Sequence, residues 1–71
     1  MTLHQIRNIL HGTAPFTIKT VSGREYRVKH PDFAALGQDL ATLLFTDDTG
    51  RIELIRLTKI ESINIASESA A

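Results

Sequence analysis

The sequence predicts a mainly-β domain: a small five-stranded barrel with a short N-terminal α-helix. Three observations lead there. A capped amphipathic stretch opens the chain and stops near Gly12. From Phe16 onward, short apolar–polar alternations recur with turn residues between them. A flat sheet of five such strands would leave exposed edges, which closure into a barrel removes. The helix then covers one open end.

The helix comes first. Thr2 and Gln5 stand three apart, as N-cap and N3 of a capping box. Leu3, Ile6, Ile9 and Leu10 follow on one helical stripe. Gly12 is placed as a stop, and Pro15 prevents resumption. The helix spans about residues 3–11, too short to be stable alone, so its stripe must pack on the rest of the chain.

The strands follow in order. Phe16–Thr20 alternates, and Val21-Ser22-Gly23-Arg24 turns with Gly23 at positive φ. Tyr26 and Val28 alternate with Arg27 and Lys29, giving a hairpin with one wet face. Pro31 has no N–H for a ladder and pushes His30 toward extended geometry, so the strand breaks there. Leu40–Thr46 is the next strand. Asp47-Asp48-Thr49-Gly50 is a hairpin turn, with Gly50 placed for a left-handed conformation, and Arg51–Leu57 runs back. In that strand Ile52 and Leu54 lie in one phase, Ile55 and Leu57 in the other. Either a bulge shifts the phase or both faces are covered. Thr58–Ile65 is the fifth strand. Residues 1–65 thus form a single barrel domain, and 66–71, small and polar, form a disordered tail.

Composition narrows the function. A chain of 71 residues makes one small, marginal domain. It has no Cys, so disulfides and thiolate metal sites are excluded. The first ten residues do not read as a signal peptide, and no apolar run approaches the roughly 18 residues of a spanning helix. The expectation is a cytoplasmic protein. The formal net charge is zero, which disfavours strong non-specific nucleic-acid binding. The distribution is uneven. Residues 17–30 carry Lys19, Arg24, Arg27 and Lys29 against Glu25, while 31–48 carry Asp32, Asp39, Asp47 and Asp48 with no Lys or Arg. This is either a mixed solvated surface or a dipolar protomer with complementary faces.

The chain resembles a small family of bacterial proteins through Pro15-Phe16-Thr17-Ile18, Gly23-Arg24-Glu25-Tyr26-Arg27-Val28, His30-Pro31-Asp32-Phe33 and Asp48-Thr49-Gly50-Arg51. That resemblance covers residues 3 to about 63 and implies no known activity. The helix-then-strands order is also similar to Sm-like barrels, and Ile55-Arg56-Leu57-Thr58-Lys59-Ile60 looks like their second motif, with Leu57 where the motif has Gly. The same residues suit a plain SH3-like barrel.

No catalytic, cofactor or metal site is expected. His30 and Asp32 flank Pro31, but no third group or nucleophile elbow accompanies them. His30 is read as a local strand stop and Phe33 as a core anchor. His4 and His11 would lie about 10 Å apart along a helix, too far to share one ion. The Asp47–Gly50 segment lacks the ligand spacing of a calcium loop. Arg24, Arg27, Lys29, Arg56 and Lys59 are the candidate nucleic-acid or partner surface. Tyr26 is expected to face the core with its hydroxyl at the rim. Ile55 and Leu57 are the candidate oligomer contacts, because a small domain should not leave them in water. The expected role is a non-enzymatic interaction or structural module, working as a homo-oligomer or on a protein partner. The alternative is a small Sm-like RNA-binding protein.

Overall fold

A computed structural model describes residues 2–65. Helix α1 (Leu3–Leu10) precedes six strands: β1 (Phe16–Thr20), β2 (Glu25–Val28), β3 (Ala34–Leu36), β4 (Thr42–Thr46), β5 (Ile52–Arg56) and β6 (Ile60–Ile65). The capping box forms as the sequence predicts. The Gln5 amide donates to Thr2 Oγ1 (3.3 Å), and the Thr2 amide donates to Gln5 Oε1 (3.0 Å). The helix ends with His11 as C-cap in right-handed geometry, so Gly12 does not need the left-handed conformation there.

The strands form two three-stranded antiparallel sheets, ordered β2-β1-β6 and β3-β4-β5. The first is built on the β1–β2 hairpin, with Gly23 at φ 92°. Thr20 is buried at its turn. Its hydroxyl accepts from the Arg24 amide (3.1 Å) and bonds Ser22 Oγ (2.9 Å), so no polar group is stranded. Strand β6 pairs on the other side of β1.

Two short 3-10 turns carry the chain between the sheets. The first is Pro31–Phe33, between β2 and β3. The Asp32 amide donates to His30 Nδ1 (3.0 Å), and the Phe33 amide donates to the His30 carbonyl (3.0 Å). His30 is thus the local stop expected of it. The Asp32 carboxylate also approaches this Nδ1, to 3.4 Å. The second turn, Leu57–Lys59, joins β5 to β6.

These turns alter the expected architecture. The fold is mainly β with one N-terminal helix, but six strands form, and no ladder joins the two sheets into a closed barrel among the described residues. The additional strand is β3. Its Ala34-Ala35 pair has weak strand propensity and forms a strand through its pairing with β4. The β3–β4 connection is tight: Leu40 holds φ 56°, and Asp39 Oδ1 accepts from the Ala41 amide (2.9 Å).

The core lies between the sheets and beneath the helix. Ile6 comes from α1, Phe16, Ile18, Val28 and Ile60 from the first sheet, Leu43 and Phe45 from the second, and Leu57 from the second 3-10 turn. Tyr26 packs edge-on against Phe45, with ring centroids 5.4 Å apart, and its hydroxyl reaches Arg24 (3.3 Å), the rim position the sequence predicts. Two expectations are corrected. Phe33 is not a core anchor; it is 51% exposed, because the 3-10 turn buries Pro31 and aims Phe33 outward. Leu57 is not a free oligomer contact; the turn after β5 folds it into the core, 8% exposed. The proposed tail, 66–71, lies outside the described residues.

Candidate interaction surface

The β4–β5 hairpin decides which face of the second sheet is wet. Its register pairs Leu43 with Ile55 and Phe45 with Glu53 on one face, and Leu44 with Leu54 and Thr46 with Ile52 on the other. Phe45 and Leu43 are core residues, so Leu44, Leu54 and Ile52 point outward. Ile52 is 74% exposed, Leu54 68% and Leu44 40%. On the neighbouring strand, exposed Ala35 is the cross-strand partner of Leu44. Phe33 and Ile52 border a shallow depression with Thr46 between them. The result is a contiguous apolar surface on the outer face of β3-β4-β5.

One end of this face is polar. Thr42 pairs with Arg56 there, and Asp39 Oδ2 accepts from the Thr42 hydroxyl (3.0 Å) and lies 3.9 Å from the Arg56 guanidinium. The Ala41 amide and the Thr42 hydroxyl hold the Asp39 carboxyl below its usual range, and Arg56 adds to this. The carboxylate therefore stays ionised at neutral pH.

At the opposite end, the Asp47–Gly50 turn closes the hairpin with Gly50 at φ 89°. Asp47 Oδ1 accepts from the Thr49 hydroxyl and from the Thr49 (2.9 Å) and Arg51 (3.0 Å) amides. These bonds, the Thr49 hydroxyl foremost, lower the Asp47 pKa. A lowered folded-state pKa contributes stability above the unfolded value of about 3.9, and that stability is lost as pH falls through the folded value. Asp47→Asn is accordingly expected to flatten the acid side of the stability–pH curve while leaving its shape above pH about 5 unchanged. Urea melts across the acid range check this.

The basic candidates do not form one stripe. Arg27 and Lys29 border a depression floored by Pro15, Phe16 and Val28, with Asp48 at its rim. The basic and acidic segments of the sequence therefore meet within one chain. Arg24 bonds Tyr26, Arg56 sits by Asp39 on the other sheet, and Lys59 lies in the second 3-10 turn. Of the two candidate oligomer contacts, Ile55 packs against the core and Leu57 is part of it. The sequence does display two apolar phases in β5, but it is the outward one, Ile52 and Leu54, that remains free. Among the described residues, no group of three or more His, Asp or Glu side chains is placed to hold a metal ion, and no helix is long and apolar enough to cross a membrane.

No family model matches the chain, and no curated protein matches it. Solved structures do. A "Putative Lipoprotein" from Pseudomonas syringae, determined by NMR, aligns at TM-score 0.59 and 15% identity, over 76% of this chain and 94% of that one. Two structural-genomics proteins solved by X-ray crystallography align at 0.63 and 18% (79% and 96% covered) and at 0.61 and 16% (79% and 93%). At these identities the likeness is one of fold. This chain spans nearly the whole of each of those domains.

Proposed function

We propose that this chain is a non-enzymatic interaction module of the bacterial cytoplasm, with the outer face of β3-β4-β5 as its working surface. The observation that carries this reading is the exposure of Leu44, Ile52 and Leu54 side by side on one small sheet, with exposed Phe33 bordering it from the preceding 3-10 turn. Single exposed apolar residues are ordinary, but a contiguous patch on a monomer marks an interaction site. We read the two sheets, with their corners at His30 and Leu57, as an opened SH3-like or Sm-like barrel. The alternative role, a small Sm-like RNA-binding protein, calls for basic residues interleaved with exposed aromatics; the one aromatic on β2, Tyr26, is partly buried, and Arg27 and the Lys29 that follows the strand do not alternate with an exposed ring.

Site-specific photo-crosslinking in the host cell tests the proposal. A photoreactive residue at Leu54 should yield a discrete adduct, and one at Thr17, on the outer face of the other sheet, should not. Nucleic acid co-purifying with the chain after a high-salt wash, with no protein adduct at Leu54, would favour the RNA-binding alternative instead.

A further inference from the structure

The geometry points to a second copy of this chain as the occupant of that face, and we propose an isologous dimer about a two-fold axis running along β4. This rests on the interaction-module reading and names its partner. An axis along β4 lays β5 of each copy over β3 of the other. By the observed registers, Leu44 then meets Leu44 and Leu54 lies over Ala35; extended one residue past the Ala34–Phe45 pair, the same register sets Ile52 over Phe33. On either side of the central leucine pair Leu54 faces the small Ala35, and the most exposed aliphatic faces the exposed aromatic. The sheets stack in the aligned manner common to β-sandwiches, about 10 Å apart.

The polar end supports the same axis. It brings Arg56 of one copy over Gly37 of the other. Asp39 Oδ1 stands only 3.1 Å from where a side chain at Gly37 would begin, so the carboxylate already lies at that spot. Each Asp39 then has two guanidiniums beside it, its own and the partner's, and four alternating charges close that edge. An axis across the strands would instead press Arg56 onto the aliphatic Ile52 of the other copy, covering the charge while its own Asp39, 3.9 Å away, is the sole carboxylate set beside it.

The size of the face sets the strength of the contact. Three strands about 4.8 Å apart and five residues at about 3.3 Å give a flat footprint of roughly 14 by 17 Å. That falls well below the roughly 800 Å² per partner of a standard stable interface. The dimer is a dissociable one, forming with concentration.

Leu44 lies on the axis, so it meets its own counterpart, and this makes a decisive test. Leu44→Glu and Leu44→Lys are each measured alone and as an equal mixture by sedimentation equilibrium, beside the natural chain. The natural chain should dimerise with rising concentration. Each charged variant alone should weaken association by roughly tenfold or more, and the mixture should recover a mixed dimer. Amide dispersion by NMR checks that the variants stay folded. If Leu44→Glu does not fold, Ile52→Lys takes its place, and association must then be lost with the fold intact. A natural chain that stays monomeric to about 1 mM, a dimer indifferent to these changes, or a mixture that stays monomeric overturns the proposal. If the natural chain is monomeric yet Leu54 still crosslinks in cells to a protein of another mass, the dimer fails and the interaction module stands.

Discussion

Ile6→Asp is expected to abolish the cooperative melting of this domain. Ile6 is 1% exposed and is the one fully buried residue of α1, packed into the core that both sheets share. Burying such a side chain contributes about 1.5–3 kcal/mol. An aspartate there loses that contribution and must also leave water without a counterion. A chain of this length holds roughly 4–10 kcal/mol in all. The combined loss consumes most of it. Circular dichroism should show no sigmoidal transition at any temperature. A variant that melts as the natural chain does would mean that α1 is not docked where the structure places it.

The second large effect separates two phenylalanines. Phe45→Ala is expected to cost about 3–5 kcal/mol, the usual range for a buried aromatic. It opens a cavity at the centre of the second sheet's inner face and removes the ring that Tyr26 packs against. Phe33→Ala is expected to cost less than about 1 kcal/mol, because half of that ring is already in water. Chemical denaturation of the two variants side by side measures the contrast. Equal costs would place Phe33 inside, as its run of apolar neighbours suggests when read without the turn. Because Phe33 belongs to the proposed dimer face, its small effect on folding should be accompanied by weakened self-association.

Several elements were legible in the residues themselves. The capping box of α1 and the positive-φ turns at Gly23 and Gly50 depend on neighbours a few positions away, and each formed as read. So did the strand stop at His30, where Pro31 removes a ladder donor and the imidazole takes the next amide. The register of the β4–β5 hairpin was also within reach, since the Asp47–Gly50 turn pairs Thr46 with Ile52 and everything behind it.

What lay beyond the sequence was the side of the sheet that faces the core. Leu43, Leu44 and Phe45 are all apolar, as are Leu54 and Ile55, so alternation alone does not distinguish in from out. That choice is made by long-range packing: Phe45 beside Tyr26 from the other sheet, and Ile6 from the helix, hold one phase inside. The same packing formed β3 from two weak strand formers and turned Leu57 inward through a 3-10 turn that no local signal announced. The apolar patch is the residue of that decision. Local chemistry determined the turns, caps and stops because its partners lie within one turn of chain. Tertiary structure alone decided which leucines meet water, because a strand's two faces become distinct only when something packs against one of them.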